Sequence, residues 1–551
     1  MRRLSLILLA LAVAPVWAQQ GVSPGALQQL RVEEEERRRQ MERLERLRAP
    51  EPAIERPAEP AAVPPDPAAV RFMVTEIRFT ESEIFTAEEL RAFARGHEGR
   101  QQTLASLREL VAVINAEYRR RGIVTAQAVL PPQDVSAGTV LIRLVEGRLG
   151  EIRLEGNAST AADYITRRIG LKPGELVDLP ALEEHLLFFN RTHDVRLQAR
   201  LTPGLAFATT DLLLQVSEPP RHTVRAFVDN GGSRGTGENR FGLAYFNNSV
   251  FGYRDDFLLS TTRANGLQSY SVSYRIPFNR VGGRVGLAYH RDQTQIRHGP
   301  LRTLGITGES SSTVLSLRQP VHLDRRTQVD LLGGATARRN ENWISGVFLS
   351  RVDTVGANIG LEAQMADEYG FWIGNYLYTR GHAEVADVRS DFAHGRGWVR
   401  RQQRISDTWS ALGTVTFQHT SNEVLPASEL FLIGGQGTVR GYPVGSSAGE
   451  TGHALSLELH HPVGTTALGD GDTPLVAKGF FFADLGQVRP HRPPGSALKG
   501  REQLSSVGWG LDLAIGRQTT ARVTFAYALD NIPDGTQRPH SVLFQLVVNI
   551  F

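Results

Sequence analysis

The chain has 551 residues, with 61 basic against 58 acidic side chains, 54 glycines, 28 prolines and no cysteine. A formal net charge of +3 gives no preference for nucleic acid or any other charged partner, and the missing cysteines exclude disulfide staples and thiolate metal sites. A mean hydropathy of −0.23 and the absence of a later run of about 20 apolar residues exclude transmembrane helices but not a transmembrane β-barrel, whose strands turn only alternate residues to lipid.

Met1-Arg2-Arg3 is a positive start, Leu4 to Val16 an apolar run too short for a stop-transfer helix, and Val16-Trp17-Ala18 a small-residue cleavage site. A secretory signal peptide over 1–18 is expected. From Gly25 to Arg48 the chain is helix-forming and charge-dense, with Leu27, Leu30, Met41, Leu44 and Leu47 as sparse apolar positions. It cannot bury a broad face. Two readings stand open, a solvated helix or weak coiled coil, and a helix lodged in a water-filled polar channel. The stretch 49–69 carries Pro50, Pro52, Pro57, Pro60, Pro64, Pro65 and Pro67, the composition of an extended, solvated linker.

Two α/β modules follow. In the first, Arg71–Phe79 reads as a strand and Thr86–Ala94 as a helix; Leu104–Arg121 reads as a longer helix with Leu104, Leu107, Leu110, Ile114 and Tyr118 on one stripe. Gly122 stops it, and strands are expected at Ile123–Leu130 and Thr139–Val145 around the turn Pro131-Pro132-Gln133-Asp134. The second repeats the order, with strands at Glu151–Leu154, Val195–Leu201 and Thr209–Val216 and helices at Thr160–Ile169 and Pro180–Asn190. Such mixed sheets leave an edge to which an extended peptide can add as a strand.

After Pro219-Pro220 the period changes to two. Tyr270, Val272, Tyr274 and Ile276 alternate with polar residues, as do Val523, Phe525, Tyr527 and Leu529, and Val542, Phe544, Leu546, Val548 and Ile550 share one face of a last strand before Phe551. Short turns such as Pro277-Phe278-Asn279-Arg280 alternate with long polar loops such as Arg291–Ser311, and aromatics recur near strand ends. These features favour a membrane barrel over a soluble sandwich. At roughly 20 residues per strand with its share of loops, 221–551 allows about 16 strands, wide enough for a polar lumen that needs filling.

Two motifs stand out in this region. Phe482, Asp484 and Gly486 fall on one face of a strand and Phe481, Ala483 and Leu485 on the other, so Asp484 should face the lumen. Val439-Arg440-Gly441-Tyr442 lies in a glycine-rich loop able to fold back on itself. If that loop dips inward, Arg440 can pair with Asp484, as a bidentate guanidinium–carboxylate contact. The alternative is an exposed arginine on an outer loop and a solvated lumen carboxylate.

These two motifs resemble the signatures of the outer-membrane assembly and two-partner secretion superfamily. Pro131-Pro132-Gln133-Asp134 with Val145-Glu146-Gly147-Arg148-Leu149 is similar to the first POTRA domain of two-partner secretion (TpsB-type) transporters, and Asn230-Gly231-Gly232-Ser233 and Gly449 to Glu458 also look like that family. The resemblance implies a mostly β fold: a plug helix over 19–48, a linker over 49–69, POTRA domains over 70–148 and 149–220, and a 16-stranded transmembrane barrel over 221–551. It implies a pore that secretes a large, unfolded partner exoprotein from periplasm to cell surface, recognised through the POTRA domains. Val439, Arg440, Gly441 and Tyr442 would form the lumen loop motif, and Phe482, Asp484 and Gly486 the wall motif. Partners would be the exoprotein and outer-membrane lipid or lipopolysaccharide.

No phosphate-binding loop is present, and no cofactor, metal, nucleotide or nucleic acid is expected. An enzyme is not expected either. The adjacent His460 and His461 would point to opposite faces of a strand, which disfavours a metal or triad pair. An outer-membrane assembly factor shares both motifs and is the competing reading, but its relatives usually carry more POTRA modules and no plug. A passive porin has no use for the periplasmic modules.

Overall fold

The computed structural model describes residues 28, 54–55, 71–123, 125–176, 178–206, 208–421, 424–468, 473–491, 500–532 and 538–550. The expected signal peptide, the helix other than Gln28, most of the linker and the terminal Phe551 lie outside these. Residues 49–219 form one compact unit, and residues 220–551 together with Gln28 form the other.

In the first unit, two residues of the expected linker make β1 (Ile54–Glu55). The first module holds β2 (Arg71–Val74), β3 (Glu76–Phe79), α1 (Ala87–Ala94), β4 (Arg100–Thr103), α2 (Leu104–Arg120), β5 (Ala126–Val129) and β6 (Thr139–Glu146). Both helices begin with capping boxes, Thr86 with Glu89 and Thr103 with Ser106, which satisfy first-turn amides that would otherwise lack partners. The α2 stripe of Leu107, Leu110, Ile114 and Tyr118 packs on Val140 and Ile142 of β6. Leu104, expected on that stripe, sits at the first helical position and is exposed.

The expected strand over 71–79 is instead two, in separate sheets: β2 pairs with β4, and β3 runs parallel to β6, which also pairs with β5. The break falls at Thr75, whose amide and Oγ1 donate to the Gly138 carbonyl at 2.7 and 3.0 Å. Gly138 has φ +77°, and a Cβ there would lie 2.7 Å from Thr75 Oγ1, so only glycine permits this approach. β4 itself, the polar run Arg100-Gln101-Gln102-Thr103, has no hydrophobic period that sequence reasoning could detect.

The second module contains β7 (Arg148–Glu155), α3 (Ala162–Ile169), α4 (Leu179–Thr192), β8 (Arg196–Pro203) and β9 (Thr209–Ser217). Asp178 caps α4, and its core gathers Tyr164, Ile165, Leu186, Phe189, Leu197 and Leu214. Its sheet has the order β1-β8-β9-β7, with β1 laid parallel on the edge of β8 through Ile54↔Ala199 and Glu55↔Arg200.

The second unit is a closed antiparallel barrel of sixteen strands, in agreement with the sequence expectation. In order these are β10 (His222–Asp229), β11 (Arg240–Asn247), β12 (Asp256–Ala264), β13 (Leu267–Pro277), β14 (Arg284–Gln295), β15 (Ile306–Leu323), β16 (Thr327–Ile344), β17 (Val347–Asp367), β18 (Gly370–Val385), β19 (Val388–Arg404) and β20 (Ser410–His419). After the loop strands β21 (Phe431–Ile433) and β22 (Ser447–Gly449), the wall resumes with β23 (Thr451–Leu468), β24 (Thr473–Arg489), β25 (Glu502–Ile515), β26 (Thr519–Ala528) and β27 (His540–Asn549). β10 meets β27 to close the ring from Arg225↔Asn549 to Asp229↔Gln545. The Asn230 side chain prolongs this seam, donating to Val542 O at 2.7 Å and accepting from Phe544 N at 2.8 Å.

The distribution of side chains inverts that of a soluble protein. Leu287, Ile359, Phe481, Trp509, Tyr527 and Val542 are exposed on the outer wall, while Ser310, Asp330, Glu362, Arg338 and Asp484 are buried inside. The polar stretch Arg291–Ser311, expected as a loop, is partly wall: β14 and β15 continue through it in register, Arg291 opposite Ser311, and Arg291 pairs with Glu309 at 2.8 Å. Above the lipid a strand needs no apolar face, so hydrophobic alternation stops before the strand does.

A lumen loop clamped to the barrel wall

The wall leaves β20 at His419 and returns at Thr451, and the intervening chain folds inward as a hairpin. β21 and β22 pair from Phe431↔Gly449 to Ile433↔Ser447, and the tip carries the motif. Gly434, Gly435 and Gly441 have φ of +103°, +95° and +92°, which a side chain would strain; these positions let the tip reverse within a few residues.

Three contacts fix the tip. Val439, with Phe431 and Ile433, packs against Ala454, Val488 and Leu504 of the wall. Arg440 Nε donates to Asp484 Oδ2 at 2.7 Å, its Nη2 to Asp484 Oδ1 at 2.7 Å, and its backbone N–H to Asp484 Oδ2 at 3.0 Å. The Tyr442 hydroxyl donates toward the Ser505 and Asp530 carbonyls at 2.9 and 3.0 Å and accepts from Asp530 N at 2.8 Å.

The remaining wall residues of the motif serve the same contacts. Phe482 places its ring 3.7 Å from the Arg440 guanidinium carbon, in cation–π geometry. Gly486 makes room: a Cβ there would lie 2.7 Å from Val439 Cγ2 and 3.1 Å from Ile433 Cγ2. Phe481 and Leu485 face outward, as the alternation requires.

Sequence reasoning located Arg440 and Asp484 but not the network around them. Arg440 also bonds Glu458 through Nη1 and Ser456 Oγ at 2.9 Å. Glu458 in turn accepts from Arg522 at 2.9 Å and lies 2.9 Å from His460 Nε2, and Arg522 reaches Asp512 at 3.2 Å. The available signal was two-residue spacing: Ser456, Glu458 and His460 are successive lumen positions on β23, level with Asp484, Phe482 and Phe480 of β24. His461 faces the other way, its ring 4.6 Å from that of Trp409.

One arginine and two carboxylates buried together are worth keeping only if each finds its partner, because an isolated charge in such a site costs several kcal/mol, about 3–5 when one partner is removed. The arrangement is a clamp between the loop and the wall. It is suited to holding a flexible loop in one pose while remaining, in principle, separable.

Comparison with known proteins agrees with this geometry. The family model for haemolysin secretion/activation proteins (ShlB/FhaC/HecB) matches residues 208–514, and that for ShlB-type POTRA domains matches residues 72–147. The heme/hemopexin transporter protein HuxB of Haemophilus influenzae is 23% identical over 499 residues, covering 84% of each chain. The outer membrane transporter CdiB of Dickeya dadantii is 22% identical over 414 residues, covering 71% of this chain and 72% of its own. Among solved structures, CdiB from Escherichia coli superposes with a TM-score of 0.65 at 21% identity, over 95% of this chain and 98% of that one. A BamA structure from Haemophilus ducreyi shares the barrel fold at a TM-score of 0.52 and 14% identity, over 87% of this chain and 100% of that one. The family match and the transporter relatives favour secretion over the barrel-assembly alternative. The chain belongs to the haemolysin secretion/activation family, outer-membrane transporters of two-partner secretion that carry a periplasmic POTRA region and export a partner exoprotein.

Proposed function

We propose that the partner crosses as an extended, unfolded chain that first adds to the β8 edge and then enters the lumen. The observation that carries this reading is β1: Ile54–Glu55 already lies on β8 in strand register, so that edge accepts an extended segment. Residues 49–69 act as a tether in this scheme, and residues 19–48 as the plug that leaves before transport, after a signal peptide at 1–18 has directed the chain across the inner membrane. Gln28 supports a lumen placement, since its amide bonds Ser310 O at 3.2 Å and accepts from Ser310 Oγ at 3.0 Å.

Arg440 and Asp484 hold the loop in its working pose, with Val439, Gly441, Tyr442, Phe482 and Gly486 shaping the contact. The energy comes from the cargo. The periplasm supplies no ATP, and folding at the surface, worth several kcal/mol or more, biases movement outward. No catalysed reaction, nucleotide or nucleic acid enters this scheme, and the outer wall meets lipid and lipopolysaccharide.

The test compares secreted and outer-membrane proteins by mass spectrometry in cells with the native chain, without it, and with Arg440→Ala. Loss of one large secreted protein with other barrels unchanged is expected; loss of many barrels would mean an assembly factor. A photo-crosslinking residue at the exposed Gln198 or Arg200 should capture the same secreted protein. Capture by the first module alone would move the docking edge away from β8.

A further inference from the structure

The loop is fastened at a second place that neither motif contains. At its neck, a single turn of 3-10 helix (Ala427–Glu429) presents the buried Glu429 carboxylate to wall strands that precede the loop in the barrel order. Arg338 of β16 donates to Glu429 Oε1 at 2.8 Å, and His394 Nε2 of β19 lies 3.2 Å from Oε2. The backbone here is held as well: Arg396 reaches the Glu429 and Leu430 carbonyls at 3.2 and 3.3 Å. Gln418 Nε2 donates to Glu429 O and to Glu450 O, both at 2.9 Å, stapling the outgoing and returning chains together.

We infer that Glu429 is a positioning residue for transport, the neck anchor that sets where the loop hangs in the lumen so that Arg440 meets Asp484. The strand order supports this. The neck anchor uses β16, β19 and β20, before the loop departs, and the tip anchor uses β23 and β24, after it returns. A hairpin held only at its tip could swing about Arg440, whereas two anchors on either side of its origin fix both position and tilt. Each anchor buries a carboxylate against an arginine, so neither releases without leaving a buried charge alone. The neck is therefore a second barrier to opening, independent of the tip motif. The same β16 face also carries Asn340, two residues from Arg338, which accepts from Ser310, the residue that bonds Gln28. The neck anchor thus lies on the wall that the N-terminal segment touches.

The inference rests on the export reading for its consequence, but the loop readouts need no cargo. Full-length Glu429→Gln and Glu429→Ala proteins would be purified, their folding checked by heat-modifiable gel mobility, and compared with native and Arg440→Ala proteins. Losing a charge-assisted anchor should raise tryptic cleavage after Arg440 in the Glu429 variants by roughly tenfold or more, Ala more than Gln, with larger or more frequent single-channel openings. Export of the partner in cells should fall in the same order. If Glu429→Ala fails to assemble, Glu429→Gln decides. The inference is overturned if folded variants cleave and conduct like the native protein, or if cleavage rises equally after Arg297 and Arg302 in the outer loop near residue 300, which would mark general loosening. Altered cleavage and conductance with unchanged export would keep the anchor and count against the export reading.

Discussion

Arg440 and Asp484 meet through three hydrogen bonds, two from the guanidinium and one from the arginine's own backbone N–H, all between 2.7 and 3.0 Å. The backbone bond ties the carboxylate to the position of the chain as well as to its side chain, so Asp484 measures where the loop is. Replacing Arg440 by lysine keeps a charge but loses the planar fork that reaches Asp484, Glu458 and Ser456 together. Both Arg440→Lys and Arg440→Ala should therefore release the tip. Alanine leaves Asp484 and Glu458 buried without their shared partner, at about 3–5 kcal/mol. Cysteine-reactivity of a probe placed at Gln436 should rise in both variants, more in Arg440→Ala; equal protection in the lysine variant would show that charge alone suffices.

Gly486 is a packing requirement. Alanine there would set a methyl 2.7 Å from Val439 Cγ2, and valine would add two more carbons against Ile433. Overpacking of this kind costs about 1–3 kcal/mol and is relieved most cheaply by pushing the loop out. Gly486→Val should thus reproduce the loop exposure of Arg440→Ala with the ion pair chemically intact. Gly441→Ala tests the backbone instead: its φ of +92° disfavours any side chain, although the nearest atoms are 3.5 Å away. Single-channel recordings separate these from a merely unfolded barrel, because a collapsed wall gives no channel.

The parts of this architecture visible in the sequence are those that repeat a physical pattern. Alternation exposed the lipid face of β26 and β27, and glycines around Arg440 marked a reversing loop. For the clamp's other members, the two-residue spacing of Ser456, Glu458 and His460 marks a lumen face but names no partner. Glu458 and Arg522 sit on β23 and β26, and their meeting depends on the registers of the three strand pairings between them. Glu429 lies on an irregular turn whose neighbours Arg338 and His394 are 91 and 35 residues away. The split of Arg71–Phe79 into two strands rests on one glycine contact across the module, and β4 is wholly polar. Strand ends above the lipid were also hidden, since the alternation that reveals a strand depends on lipid being present.

Tyr442 should contribute through its hydroxyl. That oxygen joins Ser505, at the outer end of β25, to Asp530 beyond β26, and the ring is nearly buried in the cluster with Val439 and Leu504. Tyr442→Phe keeps the packing and removes the hydrogen bonds, leaving the Asp530 amide short of a partner at about 1–3 kcal/mol. The expected result is faster hydrogen exchange at Asp530 and partial loop release, milder than in Arg440→Ala. If exchange at Asp530 is unchanged, water replaces the hydroxyl and the tyrosine acts by packing alone.

The first POTRA module should loosen in acid at an identifiable place. Arg121 bonds Glu89 at 2.5 Å and Glu117 at 2.8 Å, linking the start of α1 to the end of α2. The Arg121 hydrogen bond and the capping amide of Thr86 lower the Glu89 carboxyl to about 2, and bonds from Arg120 and then Arg121 lower Glu117 to about 2. Both carboxyls titrate lower folded than unfolded. Their stabilisation is therefore complete above the ordinary carboxylate range and is lost as pH falls from there toward 2. Both groups are solvent-facing, so the effect is local fraying and not global unfolding. Pulse-labelled hydrogen exchange of the full-length protein, incubated between pH 5 and 2 and labelled at one fixed pH, should show protection falling first at the opening turn of α1 and the last turn of α2. Arg121→Met should remove most of that acid dependence at the opening turn of α1, where Arg121 is the main partner of Glu89, and less at the last turn of α2, where Arg120 still holds Glu117, while leaving the buried Ile114 and Val140 amides protected. Acid dependence that survives undiminished at the opening turn of α1 in Arg121→Met would place its origin elsewhere in the module.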